Sequence, residues 1–134
     1  MSTTKLNTIR VVLAINTLIA LFFGLSMLFM PQQTHEGFFK ESFNPAIQGY
    51  MTFLGSSALA MVVGGVIALL DPPKNLGLIK FFIAFGLLDF LVSTVYVNLV
   101  VVPDAAVSSW IFGTISLILA VVLIVVYPRG QEAS

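Results

Sequence analysis

One apolar stretch, at residues 46–70, constrains the fold of this chain more than any other. It contains no charged residue, and it is long enough for a helix that crosses a bilayer, which takes about 20 apolar residues. Every fourth position forms a row that starts polar and then becomes small: Gln48, Thr52, Ser56, Ala60, Gly64 and Ala68. A helix that is apolar on all sides and carries such a row is typical of a membrane segment packed against another helix. We therefore predict a helix-packing interface at Ser56, Ala60, Gly64 and Ala68, either within the chain or with a second chain.

Three more apolar stretches of similar length accompany it. Together they give four predicted spans, at about residues 9–30, 46–70, 76–102 and 106–127, and an outer loop at residues 31–45. Only 9% of the 134 residues are charged and 58% are hydrophobic, whereas a soluble domain has about 25% charged residues. Because so few charges cannot coat a soluble fold, we predict an all-α integral membrane protein. It forms a single domain over residues 1–134, an antiparallel four-helix bundle.

The distribution of basic residues predicts how the bundle is oriented. An even number of spans places both termini on one side of the membrane. The basic residues on that side are Lys5, Arg10, Lys74, Lys80 and Arg129, and only Lys40 falls on the other side. Because cytoplasmic segments are enriched in lysine and arginine, we predict that the N- and C-termini are cytoplasmic. The predicted location is the cytoplasmic (inner) membrane of a prokaryotic cell.

Asp89 is the one acidic residue near the centre of a predicted span. Its insertion costs about 2.5–3.5 kcal/mol, which the surrounding apolar residues offset, but it must face the bundle interior and find partners there. Ser93 and Tyr96 follow on the same predicted helix face, Asn16 lies at a similar depth on the first span, and Gln48 lies in the outer half of the second. We predict a ligand-binding or proton-exchanging site at Asp89, Asn16, Ser93, Tyr96 and Gln48. Two alternatives remain open: Asp89 is a hydrogen-bonded strut between helices, or it contacts another subunit.

The loop at residues 31–45 holds the only histidine, His35, and three phenylalanines. Phe39 and Phe43 have helical i, i+4 spacing, so a short helix lying in the membrane interface is one interpretation. A loop whose aromatic side chains dip into the lipid headgroups is a second, and a lid over a substrate is a third. We expect His35 itself to be solvated.

The residue types that support most enzymatic chemistry are scarce. The chain has no cysteine, a single histidine, and no nucleotide-binding, zinc-protease or Ser-His-Asp motif. Its six basic and six acidic residues balance, so no nucleic-acid partner is indicated. We expect no catalytic residue, no metal site and no enzymatic activity, and the sequence does not indicate a cofactor.

The layout resembles small prokaryotic four-span membrane proteins of the DoxX-like kind. The shared features are an arginine-led first span, Gly24 in its outer half, Pro31 at its end, and a second span with small residues at 55–68. The resemblance implies a membrane bundle over all four spans and carries over no catalytic residue. The small multidrug exporters also have four short spans, but their membrane-embedded glutamate lies in the first span, whereas the lone acid here, Asp89, lies in the third.

Two functional hypotheses follow from the sequence. In the first, the protein is a non-enzymatic accessory or structural subunit, or a small homo-oligomer. Its partners are then the lipid bilayer and other membrane subunits or further copies of itself. In the second, it is a small proton-coupled carrier or a protein that binds a hydrophobic ligand such as a quinone, lipid or pigment, with Asp89 as the working group. An Asp89→Asn substitution separates the two, because a strut tolerates it with a modest loss of stability whereas proton-linked transport stops.

Overall fold

Every regular element in the described part of the chain is helical. The computed structural model describes residues 2–39, 42–101 and 107–128. Its elements are α1 (Thr3–Phe29), α2 (Pro31–Glu36), α3 (Pro45–Leu70), a 3-10 turn (Pro72–Asn75), α4 (Leu76–Leu88), a π-helical continuation of α4 (Asp89–Val101), and α5 (Val107–Val126). Four of these, α1, α3, α4 with its flanking segments, and α5, are long and apolar enough to cross a membrane. The prediction of an all-helical chain with four long apolar helices is confirmed for these residues. Lys40 and Arg129, used above for the orientation, lie outside them, as does the join between the third and fourth predicted spans.

Short polar side chains mark the helix ends. Ser2 accepts a hydrogen bond from the Lys5 backbone N–H at the start of α1 (3.3 Å). Asn44 accepts two from backbone N–H groups in the first turn of α3 (3.0 and 3.1 Å). Both are N-caps, which satisfy donors that a first helical turn leaves without partners. Beyond the other end of α3, the Asn75 side chain donates to the Asp71 carbonyl oxygen (2.8 Å) and closes the hairpin between α3 and α4.

Neighbouring long helices run antiparallel. Thr17 and Gly24 of α1 meet Gly65 and Gly55 of α3, so residue numbers rise on one helix as they fall on the other. Helix α3 packs most extensively on α1, and α5 lies between α1 and α4, whereas the contact between α3 and α4 is thin. The long helices therefore form a ring that is least tightly closed between α3 and α4.

Glycines allow the helix backbones to approach closely in both of the well-packed pairs. A Cβ on Gly55 of α3 would lie 3.0 Å from the Gly24 carbonyl oxygen of α1. A Cβ on Gly86 of α4 would lie 2.7 Å from the Ser116 carbonyl oxygen of α5. Any side chain at these positions would push the helices apart. Small residues at helix contacts are the packing mode that membrane helices use in place of large interlocking side chains.

The predicted row of small residues is buried only in part. Its last member, Ala68, is buried, and so are Gly55 and Gly65 outside the row, whereas Ser56 and Ala60 are exposed. Gly64, also of the predicted row, is half-buried and lies beside Leu78 of α4. The reason is geometric: at 3.6 residues per turn, each i+4 step rotates about 40° around the helix axis. An i, i+4 row therefore leaves a straight contact face within a few turns, and the packing of Ser56 and Ala60 against a second chain stays a prediction.

The two ends of the bundle are packed differently. Large apolar side chains fill the end at which α1 begins and α5 ends, where Ile9, Leu13, Ile79 and Leu123 are fully buried and form one cluster. The outside of the bundle is also apolar, and side chains such as Phe22, Phe53 and Val125 remain exposed there, as do many other large hydrophobic residues. The solid core thus occupies one half of the bundle, and the other half, beneath α2, holds a cavity.

Candidate functional site

The cavity lies at the α2 end of the bundle and has a volume of about 410 Å³. Ligand sites in proteins typically measure about 300–1,000 Å³. Side chains from all four long helices and from α2 and the turn that follows it form its wall. The polar members of that wall are Asn16, Thr34, His35, Ser57, Asp89, Ser93, Thr94, Ser109 and Ser116, and the rest of the wall is apolar or glycine.

Asp89 contributes the only carboxyl group in the described wall of this cavity. It lies where α4 changes to the π-helical segment, and its side chain is half-buried. No hydrogen bond or ion pair joins its carboxylate to another residue of the described ranges. Asn16, the partner predicted from depth, faces the same cavity, but its amide donates to the Val12 carbonyl oxygen of its own helix (3.1 Å). The described structure therefore contains no strut hydrogen bond at Asp89.

The π-helical winding decides which polar residues follow Asp89 into the bundle. In an i→i+5 helix, positions i+4, i+5 and i+9 return toward the face of residue i, whereas i+7 turns to the opposite side. Ser93 and Thr94 accordingly line the cavity, Asn98 is buried, and Tyr96 is 53% exposed. The predicted placement of Tyr96 on the Asp89 face is therefore wrong, because it assumed 3.6 residues per turn.

The predicted site residues thus separate into two groups. Asn16, Asp89 and Ser93 line one cavity. Tyr96 faces outward, and Gln48 is exposed in the first turn of α3 and does not contribute to the cavity wall. The sequence analysis placed Gln48 at the correct end of the bundle but had no means of telling which way its side chain points.

Helix α2 and the turn after it cover the cavity. His35 is only 6% exposed, lines the cavity, and has its ring 5.3 Å from that of Phe39 and 6.0 Å from that of Phe43. The Ser108 hydroxyl donates to the Gly37 carbonyl oxygen (2.5 Å) and ties this cover to α5. The expectation of a solvated His35 is wrong, because the segment folds back over the bundle. Its spacing signals the turn inward, since Thr34, His35, Phe38 and Phe39 repeat at i, i+1, i+4 and i+5.

A buried polar cluster that the sequence analysis missed adjoins the cavity. The Asn98 side-chain amide donates to the Thr94 carbonyl oxygen (2.6 Å) and to the Ser109 hydroxyl oxygen (2.9 Å), which joins the π-helical segment to α5. The other amide atom, Asn98 Oδ1, is buried without a partner among the described residues. Thr94 fits against α5 only because Gly113 has no side chain, since a Cβ there would overlap the Thr94 hydroxyl.

The cavity opens sideways between α3 and α4. Its lining residues on α1 and α5 include buried positions such as Ala20 and Ser109. Ser57 of α3, Phe85 of α4 and Ser93 of the π-helical segment remain exposed. This opening coincides with the thin α3–α4 contact. An apolar groove continues from it along the same two helices toward the termini, lined by Ser57, Ala60, Met61, Gly64, Leu78, Phe81, Phe82 and Phe85.

Two titratable side chains and five phenylalanines characterise the described wall of the cavity. No group of three metal-ligating side chains occurs within the described ranges, and the cavity wall described above contains Asp89 and His35 as its titratable residues. Phenylalanines dominate the apolar wall: Phe23, Phe38, Phe39, Phe85 and Phe112. A wall of this composition has room for an apolar body, and its one carboxyl group can orient a polar head.

Comparison with known proteins assigns no family to this chain, so its class is defined by the fold alone. The chain matches no protein-family model, no curated protein and no solved structure. The class that the structure defines is a helical protein with four candidate membrane-spanning helices.

Proposed function

We propose that this chain is a multi-pass protein of a prokaryotic cytoplasmic membrane, with both termini in the cytoplasm. The exposed apolar side chains on all four long helices support insertion, because a soluble monomer rarely exposes contiguous apolar patches beyond a few hundred Å². The basic residues near the termini and the α3–α4 turn support the orientation. A reporter enzyme that works only in the cytoplasm should be active when it is fused after residue 134. Activity of a reporter that works only on the opposite side would contradict this topology.

Within that membrane, the function best supported by the geometry is the binding of a small hydrophobic ligand at Asp89. The observation that carries this proposal is an unpartnered carboxyl group on the wall of a largely apolar cavity of ligand size. If Asp89 served only to join helices, its oxygens would accept hydrogen bonds from them, because unpaired polar groups in an apolar interior are costly. The ligand supplies the polar partner in this proposal, and a carrier would release it on the other side.

Filling the cavity tests this proposal. Ala58→Phe adds a ring at a half-buried cavity-lining position, and Ala84→Phe adds the same ring at an exposed position of α4. The probe is N-phenyl-1-naphthylamine, a neutral apolar fluorophore, titrated into protein in lipid nanodiscs and corrected for empty nanodiscs. We expect saturable binding by the unmodified protein and by Ala84→Phe, and a loss of at least tenfold in affinity for Ala58→Phe. Equal binding by the two variants, or no saturable binding, would contradict the proposal.

The exposed small residues of α3 support a second proposal, that the chain is an accessory subunit or a small homo-oligomer. Thr52, Ser56 and Ala60 form an exposed row on a helix whose described contacts are mainly with α1, and Ala60 also lines the groove beside α4. Small-residue rows of this kind let membrane helices associate. The DoxX-like resemblance, with its layout of four spans, belongs to the same set of proposals.

Cysteine cross-linking in native membranes tests the second proposal, since the chain has no cysteine of its own. Ser56→Cys places a thiol on the exposed row, and Leu25→Cys places one at a similar depth on the exposed side of α1. If α3 joins two copies, oxidation links Ser56→Cys dimers and leaves Leu25→Cys monomeric. Equal cross-linking at both positions would indicate random collision and would remove the support for this interface.

A further inference from the structure

We propose that the cavity at Asp89 accepts a lipophilic organic cation, with the positive group at the carboxylate and the apolar body against the phenyl rings. This inference rests on the proposed ligand-binding function and narrows it to one chemical class. It also separates that class from quinones and other carbonyl-bearing molecules.

The charges of the cavity wall favour a cationic ligand. No lysine or arginine contributes to the described lining, and the Asp89 carboxylate has no partner among the described residues. An ionised carboxyl group in an apolar cavity is stabilised by a cation or by donors, and it repels anions. A carboxylate only accepts hydrogen bonds, so a ligand whose polar atoms are carbonyl oxygens offers it nothing. His35, the other titratable residue of the wall, lies in the cover and has phenylalanine rings as neighbours.

The aromatic residues of the cavity wall favour the same positive charge. Phe23, Phe38 and Phe112 form one cluster, with ring centroids 4.9–5.7 Å apart, and Phe85 lines the cavity from α4. The face of a phenyl ring is negative and attracts organic cations, most strongly where water is excluded. The wall therefore combines an acid with rings whose faces attract a positive charge as well. Aliphatic side chains in place of the rings would not add this attraction.

The side opening gives such a ligand access to the cavity from the membrane. This route suits a lipophilic cation because it concentrates in the bilayer. The gap between α3 and α4 at Ser57, Phe85 and Ser93 leads from the apolar outside of the bundle into the cavity. Two hydroxyl groups at this gap replace part of the hydration shell of the charged head as the ligand moves from the headgroup region to Asp89. A ligand dissolved in the membrane reaches the site without passing through the aqueous phase.

Two ions of matched shape and opposite charge test the proposal: tetraphenylphosphonium and tetraphenylborate. Saturable binding of each is measured by equilibrium dialysis with protein in nanodiscs of zwitterionic lipid, and binding to empty nanodiscs is subtracted. We expect tetraphenylphosphonium to bind at least tenfold more tightly than tetraphenylborate. Asp89→Asn should reduce tetraphenylphosphonium affinity at least tenfold, whereas the exposed control Asp71→Asn should leave it unchanged. If Asp89→Asn does not fold, the comparison of the two ions on the unmodified protein decides the question, and Asp89→Glu should retain the preference.

The neutral probe separates the failure of this inference from the failure of the proposed function. If N-phenyl-1-naphthylamine binds in the cavity but the two ions bind equally, the cavity takes hydrophobic ligands and the cation preference is refuted. Tighter binding of tetraphenylborate would also refute it and would assign the polarity of the site to His35. If none of the three probes binds saturably, the proposed function fails together with the inference.

Discussion

Gly86 offers the sharpest test of the close contact between α4 and α5. A Cβ at this position would lie 2.7 Å from the Ser116 carbonyl oxygen and 2.9 Å from the Ala120 Cβ. Neither atom is at the end of a flexible side chain, so Gly86→Ala forces the two helices apart. Overpacking of this kind costs about 1–3 kcal/mol. A Cβ on Gly77, on the same helix, would have no neighbouring atom within 4 Å, and Gly77→Ala is therefore a matched control.

Gly86 lies inside α4, where a change to alanine also gains about 0.5–1 kcal/mol in helix propensity, whereas Gly77 is the second residue of α4 and gains less. The difference in stability between the two variants is therefore a lower limit for the cost of the clash at Gly86. We expect Gly86→Ala to be less stable than Gly77→Ala by up to about 3 kcal/mol. The assay is reversible unfolding in mixed micelles with increasing dodecyl sulfate, followed by the fluorescence of the single tryptophan, Trp110, on α5. Equal unfolding midpoints for the two variants would refute the α4–α5 packing described above.

Three further contacts have expected outcomes in the same assay. Gly65→Ala should destabilise the protein, because its Cβ would overlap the Thr17 hydroxyl. Thr17→Ala should relieve that clash in the double variant, so additive losses of stability would contradict this contact. Ser109→Ala removes an interhelical hydrogen bond to the Asn98 amide and should cost about 0.6 kcal/mol and at most about 1.7 kcal/mol, and no loss would mean that the bond adds nothing. The hydrogen bond from Lys74 lowers the pKa of Asp71 below its ordinary value of 3.8, so its contribution is present above pH 3.8 and fades as pH falls through the lowered pKa. Unmodified protein and Asp71→Asn should therefore converge in stability at low pH, and a gap that widens on acidification would contradict the ion pair.

The cover offers a test of how the cavity is closed. Phe38 packs its ring 5.6 Å from that of Phe23 and 5.7 Å from that of Phe112, and this contact holds the turn after α2 over the cavity. Phe38→Ala should speed the dissociation of N-phenyl-1-naphthylamine severalfold, measured by stopped-flow dilution, whereas Phe22→Ala, at an exposed position of α1, should not. Equal dissociation rates would show that the ligand leaves only through the α3–α4 opening.

Composition and the length of apolar runs were sufficient to predict four long apolar helices. That part of the fold depends on one local property, the absence of charge over stretches long enough for a helix to cross a bilayer, and neither packing nor partners enter into it. The same reasoning grouped Asp89 with Asn16 and Ser93, which line one cavity, because an acidic residue in an apolar run is costly in lipid and turns toward the bundle interior. Hydroxyl side chains cost less, and Thr52 and Ser56 stay exposed.

The tertiary structure decided everything that depends on the rotation of a helix about its axis. The π-helical winding after Asp89 turned Tyr96 outward and Asn98 inward, and the drift of an i, i+4 row exposed Ser56 and Ala60 while Gly55 and Gly65 made the contact. His35 became part of the cavity wall because its segment folds back over the bundle. The residues of an apolar helix differ too little in hydrophobicity to indicate which side faces a neighbour. Only the close fit between particular backbones, at glycines that allow it, determines that side.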